Sequence, residues 1–110
     1  MVQQLRQTKR TEPKIEVPRD AIADFCKRHA IRKLALFGSV LRDDFRPDSD
    51  VDVLVEFEAK HVPGLIGLAG MEIELTHLVG HKVDLNTPNF FSGPLRTRVL
   101  AEAEVFYAAS

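Results

Sequence analysis

Apolar residues recur at helical spacing in two stretches of this chain and crowd into short strand-like runs in three others. Ile22, Phe25 and Cys26, continuing to His29 or Ala30, form a stripe behind Pro18, with Asp20 in the first turn, and predict a helix to about residue 30. The longest stripe is Leu65, Leu68, Met71, Leu75, Leu78 and Val79, opened by Pro63-Gly64 and closed by Gly80. Between the two helices, residues 33–37 read as a strand that ends at Gly38-Ser39, followed by a short helix over residues 39–44. Pro47 and Asp48 carry a loop into a second strand, Val51–Phe57. Residues 82–86 read as a short strand, Pro94 begins a helix to about residue 103, and residues 105–107 close the chain as a strand or extended tail. No repeat or low-complexity segment interrupts this order.

Along a strand, residues two apart share a face, roughly 6.6–6.8 Å from each other. Val51, Val53, Val55 and Phe57 therefore point to the core, while Asp50 and Asp52 point together out of it. The strand–helix–strand order over residues 51–86 predicts a right-handed parallel crossover. It sets Asp84 on a strand close to the Asp pair, with Val83 and Leu85 on the opposite side. Carboxylates fixed side by side repel unless a cation sits between them. The Gly38-Ser39 turn offers the complement, backbone N–H groups at the start of a short helix, where an anion is favoured. Gly38 lets the backbone approach phosphates, Ser39 can give them its N–H and hydroxyl, and Arg42 lies one helical turn further on. A structural role for Arg42 stays equally open. So does one for Arg46, which could pair with Asp48 or Asp50, while Ser49 could cap or brace the loop. A cation site beside a phosphate site describes an enzyme handling a metal-bound nucleoside triphosphate.

Gly38-Ser39, a ten-residue spacer and Asp50-Val51-Asp52 closely resemble the motif of the nucleotidyltransferase superfamily with the DNA polymerase beta-like fold. The likeness extends through Pro63-Gly64-Leu65, Met71-Glu72-Ile73-Glu74-Leu75, Lys82-Val83-Asp84-Leu85 and Leu100-Ala101-Glu102-Ala103-Glu104, which look like the minimal nucleotidyltransferase subfamily. It implies an α/β (α+β) fold, a small mixed β-sheet flanked by helices, in one domain over residues 17–110. It also implies that Asp50 and Asp52 carry two Mg²⁺ ions and that Asp84 completes the metal nearer the attacking hydroxyl and receives its proton. Gly38, Ser39 and Arg42 would hold the phosphates of ATP. The family often has Gly after that Arg, where this chain has Asp43. Members resemble the antitoxin half of toxin–antitoxin pairs, in which AMP is transferred to a tyrosine of a small helical HEPN ribonuclease. Two alternatives remain: a non-catalytic antitoxin that neutralises its partner by stable contact, and nucleotidyl transfer to a small molecule.

At 110 residues, with 45% apolar and 28% charged residues, the chain suits one core, with no room for a separate acceptor-binding domain. The formal net charge of −1 gives no global attraction to nucleic acid or anionic membrane, so neither is expected as a partner. No apolar run is long enough to span a bilayer and no secretory leader pattern is present, so a cytoplasmic location is expected. Residues 1–16 are polar and aperiodic and are expected to form a flexible tail. Cys26 is the single cysteine, which excludes an internal disulfide and suits a packed thiol. His77 and His81 stand four apart, but Gly80 ends the helix between them and speaks against zinc. His29 and His61 are expected at the surface, and Phe90 and Phe91 are expected to pack beneath a loop rather than stack on a base.

Overall fold

The structure, a computed structural model, describes residues 14–109. In chain order these form α1 (Arg19–Arg28), β1 (Ile31–Phe37), a 3-10 turn (Gly38–Leu41), β2 (Val51–Phe57), α2 (Leu65–Val79), β3 (Val83–Asn86), a second 3-10 turn (Pro88–Phe90), α3 (Gly93–Glu102) and β4 (Glu104–Ala108). The strands make one sheet in the order β3-β2-β1-β4. β1 runs antiparallel to both β2 and β4, and β2 and β3 are parallel across the α2 crossover, so the sheet is mixed.

Two apolar faces position the site. Leu34, Leu36, Val51, Val53, Val55, Val83 and Leu85 meet Ile22, Phe25 and Cys26 of α1 and Met71, Leu75 and Val79 of α2 in the main core. The alternate residues of the same strands face the other way. There Phe37 and Leu54 pack with Val99 of α3, Phe91 and Ala103 in a smaller cluster. The side of β2 bearing Asp52 is therefore partly apolar, which the alternation alone did not reveal. Phe91 stands edge-on to Phe37, with ring centroids 5.7 Å apart. Phe90 departs from the expected packing and is 54% exposed.

α2 ends as expected: Gly80 takes φ 76° and its N–H returns to the Thr76 carbonyl at 2.9 Å. The same helix closes the free edge of β3. The Val83 N–H donates to Thr76 Oγ1 at 3.0 Å and the Leu85 N–H to Glu72 Oε2 at 2.8 Å. Glu72 and Thr76 lie four apart on one helical face, so two polar side chains satisfy two edge donors and fix the height of β3.

Several boundaries differ from expectation. β1 begins at Ile31, before the expected residue 33, and α3 begins at Gly93. The expected helix over residues 39–44 is only the Gly38–Leu41 turn, because Arg42 is already extended at φ −120°, ψ 162°. One such turn fixes several dihedrals for few hydrogen bonds and does not propagate on its own. Of the expected tail, residues 1–13 lie outside the described residues. Lys14, placed in that tail, is instead docked: its N–H donates to the Val40 carbonyl at 2.8 Å and its Nζ lies 3.1 Å from Asp43.

His29 corrects the surface expectation. It is partly buried, its ring centroid 4.6 Å from that of Phe25 and its Nε2 3.0 Å from Glu74 Oε1. Arg28 binds the same Glu74 and Asp24, so α1 and α2 are tied at this point and Glu74 is held below the usual carboxylate range, chiefly by Arg28. Burial pushes the Cys26 thiol up to about 12, which makes it a packing group rather than a nucleophile. Among the described residues no helix is long and apolar enough to cross a membrane.

Candidate active site

The parallel register of β2 and β3 pairs Val51 with Val83 and Asp52 with Asp84. The two valines enter the main core, which sends both carboxylates to the α3 side of the sheet as direct neighbours. A one-residue slip in either strand would separate them, and the Glu72 and Thr76 contacts oppose that slip in β3. On its other side Asp52 stands opposite Phe37, the residue before the Gly38-Ser39 turn. Asp50 precedes β2, half exposed, with its Oδ2 4.0 Å from Lys82 Nζ. Asp52 and Asp84 are thus brought together, with Asp50 alongside. Among the described residues no three acidic, imidazole or thiol groups close around a common point as they stand.

Burial, followed by the negative charges of Asp84 and Asp50, raises the Asp52 carboxyl from 3.8 to about 6, against a smaller downward pull from Arg42. Asp84 also shares a hydrogen bond with it, which favours the protonated form. This donor set suits a hard divalent cation: carboxylate oxygens gathered at a cost that a positive charge would relieve. It fits Mg²⁺.

A carboxyl whose folded pKa lies above its unfolded value stabilises the fold fully below the unfolded pKa and loses that contribution as pH rises through the folded pKa. The metal-free protein should therefore lose stability from this group between about pH 4 and pH 6 to 7, by about 1–2 kcal/mol after allowance for partial solvent screening. Asp52→Asn should remove that loss. In EDTA at pH 7.5 the variant should withstand more urea than the native protein, and the difference should vanish near pH 4. A variant less stable at pH 7.5 would make the carboxylate a structural group.

Gly38 takes φ 78°, and a Cβ built on it would collide with Asp52 Oδ2. The sequence motivated this glycine by approach to phosphate. The structure adds a second reason: the turn passes so close to the carboxylate that only hydrogen fits. Gly38→Ala should cost about 1–2 kcal/mol through the left-handed backbone and displace Asp52. Turnover should fall about a hundredfold, well beyond that destabilisation, in assays at a temperature where the variant is fully folded. Near-native turnover would show that Asp52 has freedom to move.

Ser39 accepts from the Arg42 N–H at 2.8 Å through its carbonyl, which closes the turn. Gly38, Leu41 and Arg42 border a cleft of about 320 Å³ together with Glu102 at the end of α3. The sequence offered Glu102 as part of the family likeness but gave it no place at the site, because only the fold brings the end of α3 to the turn. Arg42 Nε lies 3.5 Å from Asp44, and its charge reaches Asp52. Arg46 makes no ion pair with Asp48 or Asp50 among the described residues. Its backbone N–H donates to Ser49 Oγ at 3.0 Å, and the Ser49 N–H returns to the Arg46 carbonyl at 2.9 Å. Ser49 is therefore the brace of the loop leading to Asp50.

Comparison with known proteins places the chain in a family. Residues 19–106 match the nucleotidyltransferase domain family. Protein adenylyltransferase MntA of Thermococcus cleftensis is 36% identical over 76 residues, which cover 69% of this chain and 75% of that protein. A solved minimal nucleotidyltransferase is 38% identical with a TM-score of 0.64, covering 77% of this chain and 85% of its own. A chain from the complex of tri-AMPylated Shewanella oneidensis HEPN toxin with MNT antitoxin shares the fold at 18% identity and a TM-score of 0.56, over 83% of this chain and 70% of that one. This chain belongs to the nucleotidyltransferase domain family, in its minimal form.

Proposed function

We propose that this chain transfers AMP from ATP to a tyrosine of a HEPN ribonuclease partner and thereby acts as its antitoxin. The observation that carries the catalytic part is the Asp52–Asp84 pair, joined in register beside the Gly38 turn. The protein acceptor rests on the adenylyltransferase relative, and the HEPN partner on the toxin–antitoxin neighbour.

The tyrosine oxygen attacks the α-phosphorus, the bond from that phosphorus to the bridging oxygen of the β-phosphate breaks, and pyrophosphate leaves. The phenolic proton passes to Asp84, directly or through a water it holds. The Gly38-Ser39 turn receives phosphate oxygens on its N–H groups, and Arg42 offsets their charge. Asp50, Asp52 and Asp84 would hold two Mg²⁺ ions, which when bound neutralise the triphosphate and favour the ionised acceptor. Asp52 has neighbours on both sides of its strand, so its backbone is fixed before substrate arrives.

Incubation of the full chain with α-labelled ATP, Mg²⁺ and lysate of its host should label one small protein, and Asp52→Asn should abolish the label. Label appearing on a small molecule, or no label at all, overturns the proposal.

A further inference from the structure

We infer that Lys82 is a positioning residue that holds Asp50 in the metal-free site, so that capture of the cation is coupled to arrival of the triphosphate. The inference rests on the nucleotidyl-transfer reading and deepens it. Val51 and Val83 pair in register, and the Val51 N–H donates to the Lys82 carbonyl at 2.8 Å. Asp50 and Lys82 are therefore the next pair out from the valines, on the side that carries Asp52 and Asp84 two residues later. Four charged groups stand at the corners of one patch: two carboxylates facing each other, then a carboxylate facing an ammonium.

Lys82 Nζ lies 4.0 Å from Asp50 Oδ2, and Lys82 makes no other ion pair among the described residues. Asp50 is thus, among the described residues, the one acid of the three with an ion-pair partner of its own, just ahead of the strand beside it. An entering divalent ion must either displace the ammonium or bear its repulsion. Triphosphate oxygens offer the ammonium a new partner and release Asp50 to the metal. A lysine suits this exchange, being a compact charge on a flexible stem, 71% exposed at its side chain and free to swing. Coupling of this kind is reciprocal: the nucleotide aids the metal by the factor with which the metal aids the nucleotide.

The test compares the full native chain with Lys82→Met, Lys82→Gln and Lys82→Arg. Binding of Mn²⁺ alone is followed by electron paramagnetic resonance, and binding of Mg²⁺-ATP by calorimetry. Loss of one positive charge beside a divalent site should tighten Mn²⁺ alone by about three- to tenfold at low ionic strength. The same loss should weaken Mg²⁺-ATP severalfold, and Lys82→Arg should behave as native in both. Opposite movement of the two affinities is a readout that a merely structural role would not give. Either neutral variant suffices if the other fails to fold. Mn²⁺ affinity that is unchanged or lowered in the neutral variants, or two affinities moving together, overturns the inference and leaves the nucleotidyl-transfer reading standing. A native chain that binds neither Mn²⁺ nor Mg²⁺-ATP overturns both.

Discussion

Replacing Asp50 and Asp52 together by Asn should leave a folded protein whose AMP transfer has fallen by about a thousandfold or more. The fold should survive because the main core lies on the opposite side of the sheet, built from Val51, Val53, Val55, α1 and α2. Asp52 contributes repulsion rather than cohesion there: burial and two neighbouring negative charges already raise its carboxyl to about 6. Activity should collapse because metal stabilisation of a charged transition state is worth several kcal/mol, and each 1.36 kcal/mol is tenfold in rate. Circular dichroism and urea denaturation would check the first half, and labelled AMP transfer at saturating Mg²⁺ the second. A double variant that is unfolded at room temperature, or that transfers AMP within tenfold of native, would remove both residues from the metal site.

Much of this site was legible along the chain because it is local. Gly38 to Asp52 spans one strand end, one turn and the start of the next strand, and period-two alternation places the acids on one side. Asp84 was legible for a different reason: a strand–helix–strand order whose helix is bounded by Pro63-Gly64 and Gly80 leaves few positions for the second strand. The structure sets it directly beside Asp52. What stayed hidden depends on contacts between distant segments. The second apolar cluster needs β1, β2 and α3 assembled before Phe37, Leu54 and Val99 can meet. His29 looked like a surface histidine because its partner, Glu74, lies 45 residues away on another helix. Lys14 looked like tail for the same reason, since its anchors are Val40 and Asp43. The short helix after Ser39 was overestimated because local propensity carries no information on where the following loop must run. Lys82, read as the first residue of a strand, was given no role of its own, and only the register gives it Asp50 as a partner.

Enzyme and stoichiometric blocker part company in the cell. The site lies open at the surface, with the Asp50 side chain 49% exposed, so a protein acceptor can reach it without a dedicated pocket. Co-expression with the cognate toxin should restore growth, and the recovered toxin should carry a mass increment of one or more AMP units on tyrosine. The Asp50→Asn, Asp52→Asn variant keeps the main core and the surface around the site, so it should fold and bind the toxin without modifying it. At matched expression that variant should leave cells unprotected wherever toxin exceeds it, because a blocker acts one for one while an enzyme turns over. Titrating the two inducers against each other separates the cases: catalytic protection persists at a several-fold toxin excess, and protection by binding ends near equality. If the variant protects as well as the native chain and the toxin is unmodified with either, the carboxylate patch is not what silences the toxin, and the chain acts by stable contact alone.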